Sequence, residues 1–191
     1  KTMNWKTIFN PFEKFDDKHI LAVGIIFFIL NFFGCFYAEM INDSIFHLSI
    51  LEEEQTIWDV VKINSLSYIF AIVVLLILAK FINKRTRIID IINTVLISQI
   101  PLIITMPMMV LPFIKEANVN IAKSAGNIAK IEMTDLIIVA IAGCITLPFL
   151  VYSFVLFFNG FKTATNIKKW QHIVAFVVVS LIITIISQTI L

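Results

Sequence analysis

The strongest constraint on this chain is the length of its apolar runs. A helix needs about 20 largely apolar residues to cross roughly 30 Å of hydrocarbon, and five segments of the sequence meet that requirement. The predicted spans are His19–Met40, Trp58–Phe81, Ile88–Ile114, Asp135–Phe158 and Trp170–Leu191. Unpaired backbone groups are costly in lipid, and the alternation typical of a membrane strand is missing from these runs. We therefore predict an all-α polytopic membrane protein with about five transmembrane helices.

Composition excludes an ordinary soluble domain. Hydrophobic residues make up 59% of the 191 residues, charged residues 15%, and the mean hydropathy is +0.94, whereas a soluble domain has about 45–50% apolar and about 25% charged residues. We expect one transmembrane domain over residues 19–191, preceded by a tail over residues 1–18. Cys35 and Cys144 both lie in apolar runs, where a thiol is usually a small buried hydrophobe, so no disulfide framework is expected.

Loop charges predict which side of the membrane each connection occupies. Lys and Arg are concentrated before the first span, after the second, and between the fourth and fifth. These cations are Lys1, Lys6, Lys14, Lys18, Lys80, Lys84, Arg85, Arg87, Lys162, Lys168 and Lys169. The opposite side carries Lys115, Lys123, Lys130 and the acidic run at 52–54. The positive-inside rule therefore predicts a protein of the cell (inner) membrane with a cytoplasmic N-terminus and an external C-terminus.

The tail before the first span has an amphipathic pattern. Its apolar residues recur at helical spacing opposite charged ones, and they are Trp5, Ile8, Phe9, Phe12 and Phe15. Asn10, Pro11 and Glu13 have the order of an N-cap, a first-turn proline and a capping carboxylate. We predict an interfacial helix around Trp5–Phe15 that lies on the cytoplasmic leaflet, with a restart at Pro11. A helix that docks a partner remains the alternative.

The connections on the external side are predicted to be simple. The first loop, with Asp43, His47 and the acidic run at 52–54, is interpreted as solvated, because these side chains lack the spacing of a cation site. A short surface helix is expected within residues 115–134 from Ala122, Ala125, Ile128 and Ala129. Asp59 and Asp135 are acidic residues at helix starts, where an anion is favourable. Thr56 and Thr134 are their candidate caps.

The cytoplasmic loops contain the most plausible binding residues. They are Lys84, Arg85, Arg87, Asp90, Lys162, Lys168 and Lys169, with Lys80 beside them. Such a cluster is expected to attract anionic lipid headgroups or to dock a partner. Asp90 is also explained as a helix-start carboxylate compensated by Arg85 and Arg87. The polar stretch at 159–170, NGFKTATNIKKW, is predicted to be a cytoplasmic turn.

Each predicted span also has a polar or helix-breaking residue near its middle. These residues are Asn31, Tyr68, Gln99, Pro101, Thr146, Pro148 and Ser180. Interrupted helices at mid-depth line the binding sites of transporters, but polar side chains also hold membrane helices together. The sequence alone does not decide whether these residues pack between helices or line a polar cavity. Pro101, Pro107 and Pro112 favour kinks in the third span, and Gly34-x-x-x-Ala38 is a weak close-packing motif.

The order of these features resembles a known family. The stretches NWKTIFNPFEKF, KFINKRTRIIDIINTVLISQIPL and NGFKTATNIKKWQHIVAFVVVSLIITII together look like a bacterial member of the Yip family, the Ypt-interacting-protein type. The resemblance covers nearly the whole chain and implies a five-helix fold with a cytoplasmic N-terminus. Eukaryotic relatives are associated with small GTPases and vesicle traffic and have a long cytosolic N-terminal region. This chain has a short tail, without the aspartate-leucine-tyrosine-glycine-proline element of that branch.

Motifs that carry catalysis are missing from the sequence. It contains no HExxH, GxSxG, Walker A or CxxC pattern, and the short loops leave no room for a soluble catalytic domain. We therefore predict a non-enzymatic membrane protein that acts by binding, as a subunit or organiser of a membrane assembly. The expected partners are membrane lipids and another membrane or cytoplasmic protein, with no nucleic acid, metal or cofactor. A small transporter that uses the mid-depth polar residues is the alternative.

Overall fold

Long apolar helices dominate the computed structural model, which describes residues 5–52, 54–124 and 131–190. In chain order the elements are α1 (Trp5–Phe9), a 3₁₀ turn (Pro11–Glu13), α2 (Asp17–Tyr37), β1 (Met40–Ser44), β2 (His47–Ile50), α3 (Ile57–Ile82), α4 (Ile88–Ser98), α5 (Ile100–Met109), α6 (Pro112–Lys123), α7 (Met133–Thr165) and α8 (Trp170–Ile190). Within the described ranges, five helical segments are long and apolar enough to cross a membrane, with α4 and α5 counted as one. The all-α polytopic prediction is confirmed.

The bundle has two distinct ends. One end carries residues 5–16, which we call the tail, together with the connections after α3 and α7; we call it the tail end. The other end carries β1, β2 and α6, and we call it the hairpin end. The predicted restart at Pro11 is present, but the second piece is a 3₁₀ turn and Asn10 makes no side-chain capping hydrogen bond. Pro11 starts the second piece and lacks the backbone N–H that would continue the first.

Three predicted span boundaries are wrong. The first span ends at Tyr37, because Glu39 adopts a positive φ of 52° and β1 follows at once. The third ends at Met109, because Pro112 opens the separate helix α6. The fourth continues beyond Phe158 to Thr165, where Asn166 ends the helix in the left-handed conformation. Most of the polar stretch at 159–170 is therefore helix, and the turn is confined to residues 166–169.

The third span is interrupted at Gln99. This residue separates α4 from α5, and its backbone N–H bonds to Leu96 O at 3.3 Å. Pro101 follows in the first turn of α5, where a missing N–H is tolerated. The predicted break in the third span is thus present, and it falls just before Pro101. Pro107 lies inside α5, whereas Pro112 starts α6.

The first connection at the hairpin end enters the bundle. Strand β1 contacts α2, α3 and α8, and Ser44 and Ile45 are fully buried. β1 pairs antiparallel with β2, with Met40 opposite Ile50 and an irregularity between Ile41 and Ser44. The interpretation of this loop as simply solvated is wrong for residues 40–50. His47 and Ile50 are exposed, and His47 Nδ1 lies 2.7 Å from Asp43 Oδ1.

Helix starts at the hairpin end differ in their caps. Thr56 precedes α3 as predicted, and its backbone N–H and Oγ1 both donate to Asp59 Oδ2, at 2.7 and 2.8 Å. Thr134 is not a cap, because Glu132 occupies that position and Thr134 lies inside α7. The expected surface helix is found earlier than predicted, as α6. Ala122 belongs to it, whereas Ala125, Ile128 and Ala129 lie outside the described residues.

The core is built around α4. Every residue of α4 from Ile91 to Ser98 except Ile92 is buried, because α2, α3 and α7 surround this short helix. The main apolar cluster joins α4 to α3, α7 and α8, and Phe161 stacks on Phe176 with ring centroids 4.6 Å apart. At Gly24, α2 crosses α4 with no room for a side chain. A Cβ added at Gly34 of the predicted motif would lie 3.7 Å from Met106, which is an ordinary van der Waals contact.

Replacing Gly24 should therefore destabilise the bundle. In Gly24→Ala, the new Cβ would lie 2.8 Å from Leu96 Cβ, and overpacking of this kind costs about 1–3 kcal/mol. Gly143→Ala is the matched control, because among the described residues nothing beyond its own stretch of helix lies within 4 Å of its added Cβ. We expect a lower thermal unfolding midpoint in detergent for Gly24→Ala and no loss for Gly143→Ala. Equal losses in both variants would contradict a tight crossing at Gly24.

Candidate functional site

The tail is held against α7 by side-chain hydrogen bonds. Tyr152 Oη donates to Ile8 O at 2.8 Å, and Asn159 Nδ2 donates to Phe9 O at 2.8 Å. Asn10 Nδ2 donates to Thr163 Oγ1 at 3.2 Å. Asn159 and Thr163 belong to the stretch that was predicted to be a turn. Their polarity is explained by the tail that they bind rather than by solvent.

Two connections of the tail end are joined to each other. After α3, Asn83 Nδ2 donates to Thr165 O at 3.3 Å, and Thr86 Oγ1 donates to Ala164 O at 3.2 Å. These bonds bring the cations after α3 together with those around the end of α7. We call the combined surface the basic face, and it consists of Lys80, Lys84, Arg85, Lys162, Lys168 and Lys169. All six residues are exposed, and no ion pair binds them to a carboxylate within the described ranges.

Arg87 and Asp90 form a separate ion-pair group with Asp17. Arg87 Nη2 lies 2.6 Å from Asp90 Oδ1 and 2.8 Å from Asp17 Oδ2, and Arg87 Nε donates to Asp90 Oδ2 at 3.1 Å. The hydrogen bond and charge of Asp90, followed by the charge of Asp17, raise the pKa of the Arg87 guanidinium. The group connects the start of α4 to the start of α2. Because the Arg87 side chain is exposed, it fixes geometry more than it adds stability.

A small cleft of about 100 Å³ lies beside this ion-pair group. The 3₁₀ turn contributes Phe12 to its walls, α4 contributes Asn93, and α7 contributes Gly160 and Thr163. Asn93 Nδ2 donates to Asp17 O at 3.2 Å, while its Oδ1 is buried and has no hydrogen-bond partner among the described residues. A Cβ on Gly160 would lie 2.6 Å from Thr94 Oγ1. The tail, α4 and α7 therefore meet closely at this point.

Two of the predicted mid-depth residues share a buried polar network. Asn31 Nδ2 donates to Asn42 Oδ1 at 3.1 Å and lies 3.4 Å from Tyr68 Oη. Cys35 Sγ donates to Asn42 Oδ1 at 2.8 Å, and the backbone N–H of Asn42 donates to Asn64 Oδ1, also at 2.8 Å. Asn64 was not among the predicted polar residues, although an asparagine inside an apolar span can be recognised from the sequence. Asn42 gave no such signal, because its strand was not predicted.

The other mid-depth residues lie apart from this network. Gln99 is buried and donates to Ser98 Oγ at 3.3 Å, and Pro101 is buried in the next turn. Thr146 Oγ1 bonds only to carbonyls of its own helix, and Pro148 is exposed on the outer surface of α7. Ser180 donates to Phe176 O within α8. The structure brings Asn31 and Tyr68 together and leaves the others in separate surroundings.

No group of three or more His, Cys, Asp and Glu side chains in the described part of the chain is arranged to hold a metal ion. Polar contacts concentrate at the tail end, in the ion-pair group of Arg87, and around β1. The features define a multi-pass helical membrane protein with an exposed basic face.

Comparison with known families identifies the chain more closely. A family model for the Yip1 domain matches residues 5–191, so the chain belongs to the Yip1 domain family. No curated protein and no solved structure matches it. The resemblance to the Yip family is thereby confirmed, while its assignment to the bacterial branch stays a prediction.

The polar network should be important for stability. In Asn64→Leu, the buried backbone N–H of Asn42 loses its acceptor, and an unsatisfied buried group costs about 1–3 kcal/mol. Thr146→Val is the control, because this hydroxyl bonds only to its own helix. We expect a lower unfolding midpoint in detergent for Asn64→Leu and a change within about 0.5 kcal/mol for Thr146→Val. A silent Asn64→Leu would mean that the hairpin does not depend on this bond.

Proposed function

We propose that this protein acts by binding and docks a protein partner on its basic face. Membership of the Yip1 domain family supports a membrane protein without enzymatic activity. The observation that carries the proposal is the union of two basic connections into one surface by Asn83 and Thr86. Its cations are exposed and have no carboxylate partner among the described residues, so they are available to an acidic surface.

The length of α7 supports access to this face. The helix has 33 residues, which correspond to about 50 Å, while the hydrocarbon core is roughly 30 Å thick. The end of α7 therefore extends beyond the hydrocarbon, together with Lys162 and the turn that carries Lys168 and Lys169. Anionic headgroups attract each cation by about 1 kcal/mol, which supports lipid binding as well. A protein partner with an acidic surface could, in addition, pair with several cations of the basic face at once.

The protein is proposed to lie in the cell (inner) membrane. In the proposed orientation the tail end faces the cytoplasm, and the C-terminal end of α8 lies on the external side. Charge asymmetry supports it, because the basic face and the tail lysines share one end of the bundle. The other end carries only Lys115 and Lys123 in its described connections, beside Glu39, Glu52 and Glu54, and Lys115 pairs with Glu39. Such an imbalance of Lys and Arg sets the direction of insertion.

A transport role has weaker support. It would need the mid-depth polar residues to line one space. Pro148 is exposed on α7, however, and the hydroxyls of Thr146 and Ser180 bond to carbonyls of their own helices. The network around Asn31 and Asn42 is closely packed. Packing between helices therefore accounts better for these residues.

Charge reversal of the basic face should abolish partner capture. The test variant is Arg85→Glu with Lys168→Glu, and capture is measured by crosslinking in native membranes followed by affinity purification. Arg87 is left intact because it connects α2 to α4. The matched control is Lys123→Glu, an exposed lysine at the hairpin end. Unchanged crosslinked species in the double variant would contradict docking on the basic face, provided that both variants insert and melt like the wild type.

The orientation can be tested by labelling single cysteines. We expect a membrane-impermeant thiol reagent to label Glu54→Cys from outside intact cells and Lys84→Cys only after the membrane is opened. The background is Cys144→Ser, because Cys144 is exposed on the bundle surface while Cys35 is buried. Labelling of both positions from the same side would contradict the five-span topology, and the reverse pattern would contradict the proposed direction.

A further inference from the structure

An apolar groove of about 350 Å³ lies between part of the tail and the bundle. The tail forms one wall with Ile8, Pro11 and Phe15, and α5 contributes Ile100 and Ile104 to the opposite side. Since α5 belongs to a membrane span and the tail lies at the end of the bundle, the groove extends from the membrane boundary toward the hydrocarbon. Its walls offer apolar contact along most of that path.

The mouth of this groove carries a cation. Thr7 lines the groove and is buried, and its Oγ1 accepts a hydrogen bond from Lys14 Nζ at 3.0 Å. The remaining N–H groups of the Lys14 ammonium point to no carboxylate within 4.0 Å among the described residues. An exposed ammonium beside an apolar channel complements a molecule that has a negative head and a hydrocarbon chain.

We propose that this groove holds one acyl chain of an anionic phospholipid from the leaflet at the tail end, with the lipid phosphate on Lys14. The tail wall is fixed, because Tyr152 Oη donates to Ile8 O across the groove. A transmembrane helix with its side chains is about 10–12 Å across and would have to displace that wall. An acyl chain is narrow enough to enter beside it. This site is separate from the basic face and does not depend on a protein partner.

The test measures lipid retention by native mass spectrometry of the full chain after delipidation in detergent. Dioleoylphosphatidylglycerol is compared with dioleoylphosphatidylcholine, which has the same chains and no net charge. We expect the wild type to retain one anionic lipid in preference to the zwitterionic one. Lys14→Ala should lower the affinity for the anionic lipid about fivefold, the equivalent of roughly 1 kcal/mol for one cation. Lys14→Arg should retain the preference.

Two variants that fill the groove test the acyl-chain site. Ile100→Trp and Ile104→Phe should each reduce retention of both lipids, whereas Ile145→Trp, on an exposed part of α7 outside the groove, should not. Either filling variant suffices if it elutes and melts like the wild type. Lys6→Ala is the charge control, since Lys6 is exposed on the same tail, whereas only the Lys14 ammonium, among the described residues, donates to the groove residue Thr7.

Several results would overturn the proposal. Equal retention of the two lipids by the wild type would rule out a role for the net negative charge of the lipid. A loss in Lys6→Ala equal to that in Lys14→Ala would indicate general surface attraction. Full lipid retention in both filling variants would show that the acyl chain of the lipid binds outside this groove. A wild-type dimer that Ile100→Trp converts to a monomer would show that a second copy of the protein occupies the groove.

Discussion

A strand inside a membrane bundle must find a partner for each backbone polar group, because the hydrocarbon supplies none. β1 meets this requirement with several different partners: β2 on one edge, the Asn64 side chain for the N–H of Asn42, and Ser187 for the carbonyl of Asp43. These partners come from α3 and α8, so satisfying the strand also fixes where those helices lie. The arrangement of the hairpin end therefore follows from the need to pair the backbone groups of β1.

The tail end has a corresponding organiser in α7. This helix supplies the donors and acceptors that hold the tail, through Tyr152, Asn159 and Thr163, and its last carbonyls accept bonds from the connection after α3. The basic face and the apolar groove beside the tail are therefore both built partly on α7. The tail and the connection after α3 are far apart in sequence, and their bonds to α7 fix their positions relative to each other.

Hydrophobic length was enough to predict the spans, because the cost of crossing lipid acts on each segment separately. It failed where contacts between distant segments decide the outcome. Residues 159–165 looked like a turn because they are polar, but that polarity serves the tail. Arg87 was grouped with Lys84 by adjacency, whereas its partner Asp17 is near the start of the chain. Spacing singled out Gly34, although the crossing that needs a glycine is at Gly24.

The bond between Ser187 and Asp43 has a consequence for biogenesis. Its two residues are 144 positions apart, and the ribosome adds about 5–20 residues per second, so the strand waits about 7 to 30 seconds for its last partner. During that interval β1 has α2 and α3 beside it but an open flank where α8 will lie. Until α8 is made, the carbonyl of Asp43 therefore lacks the hydroxyl that it accepts from in the folded protein.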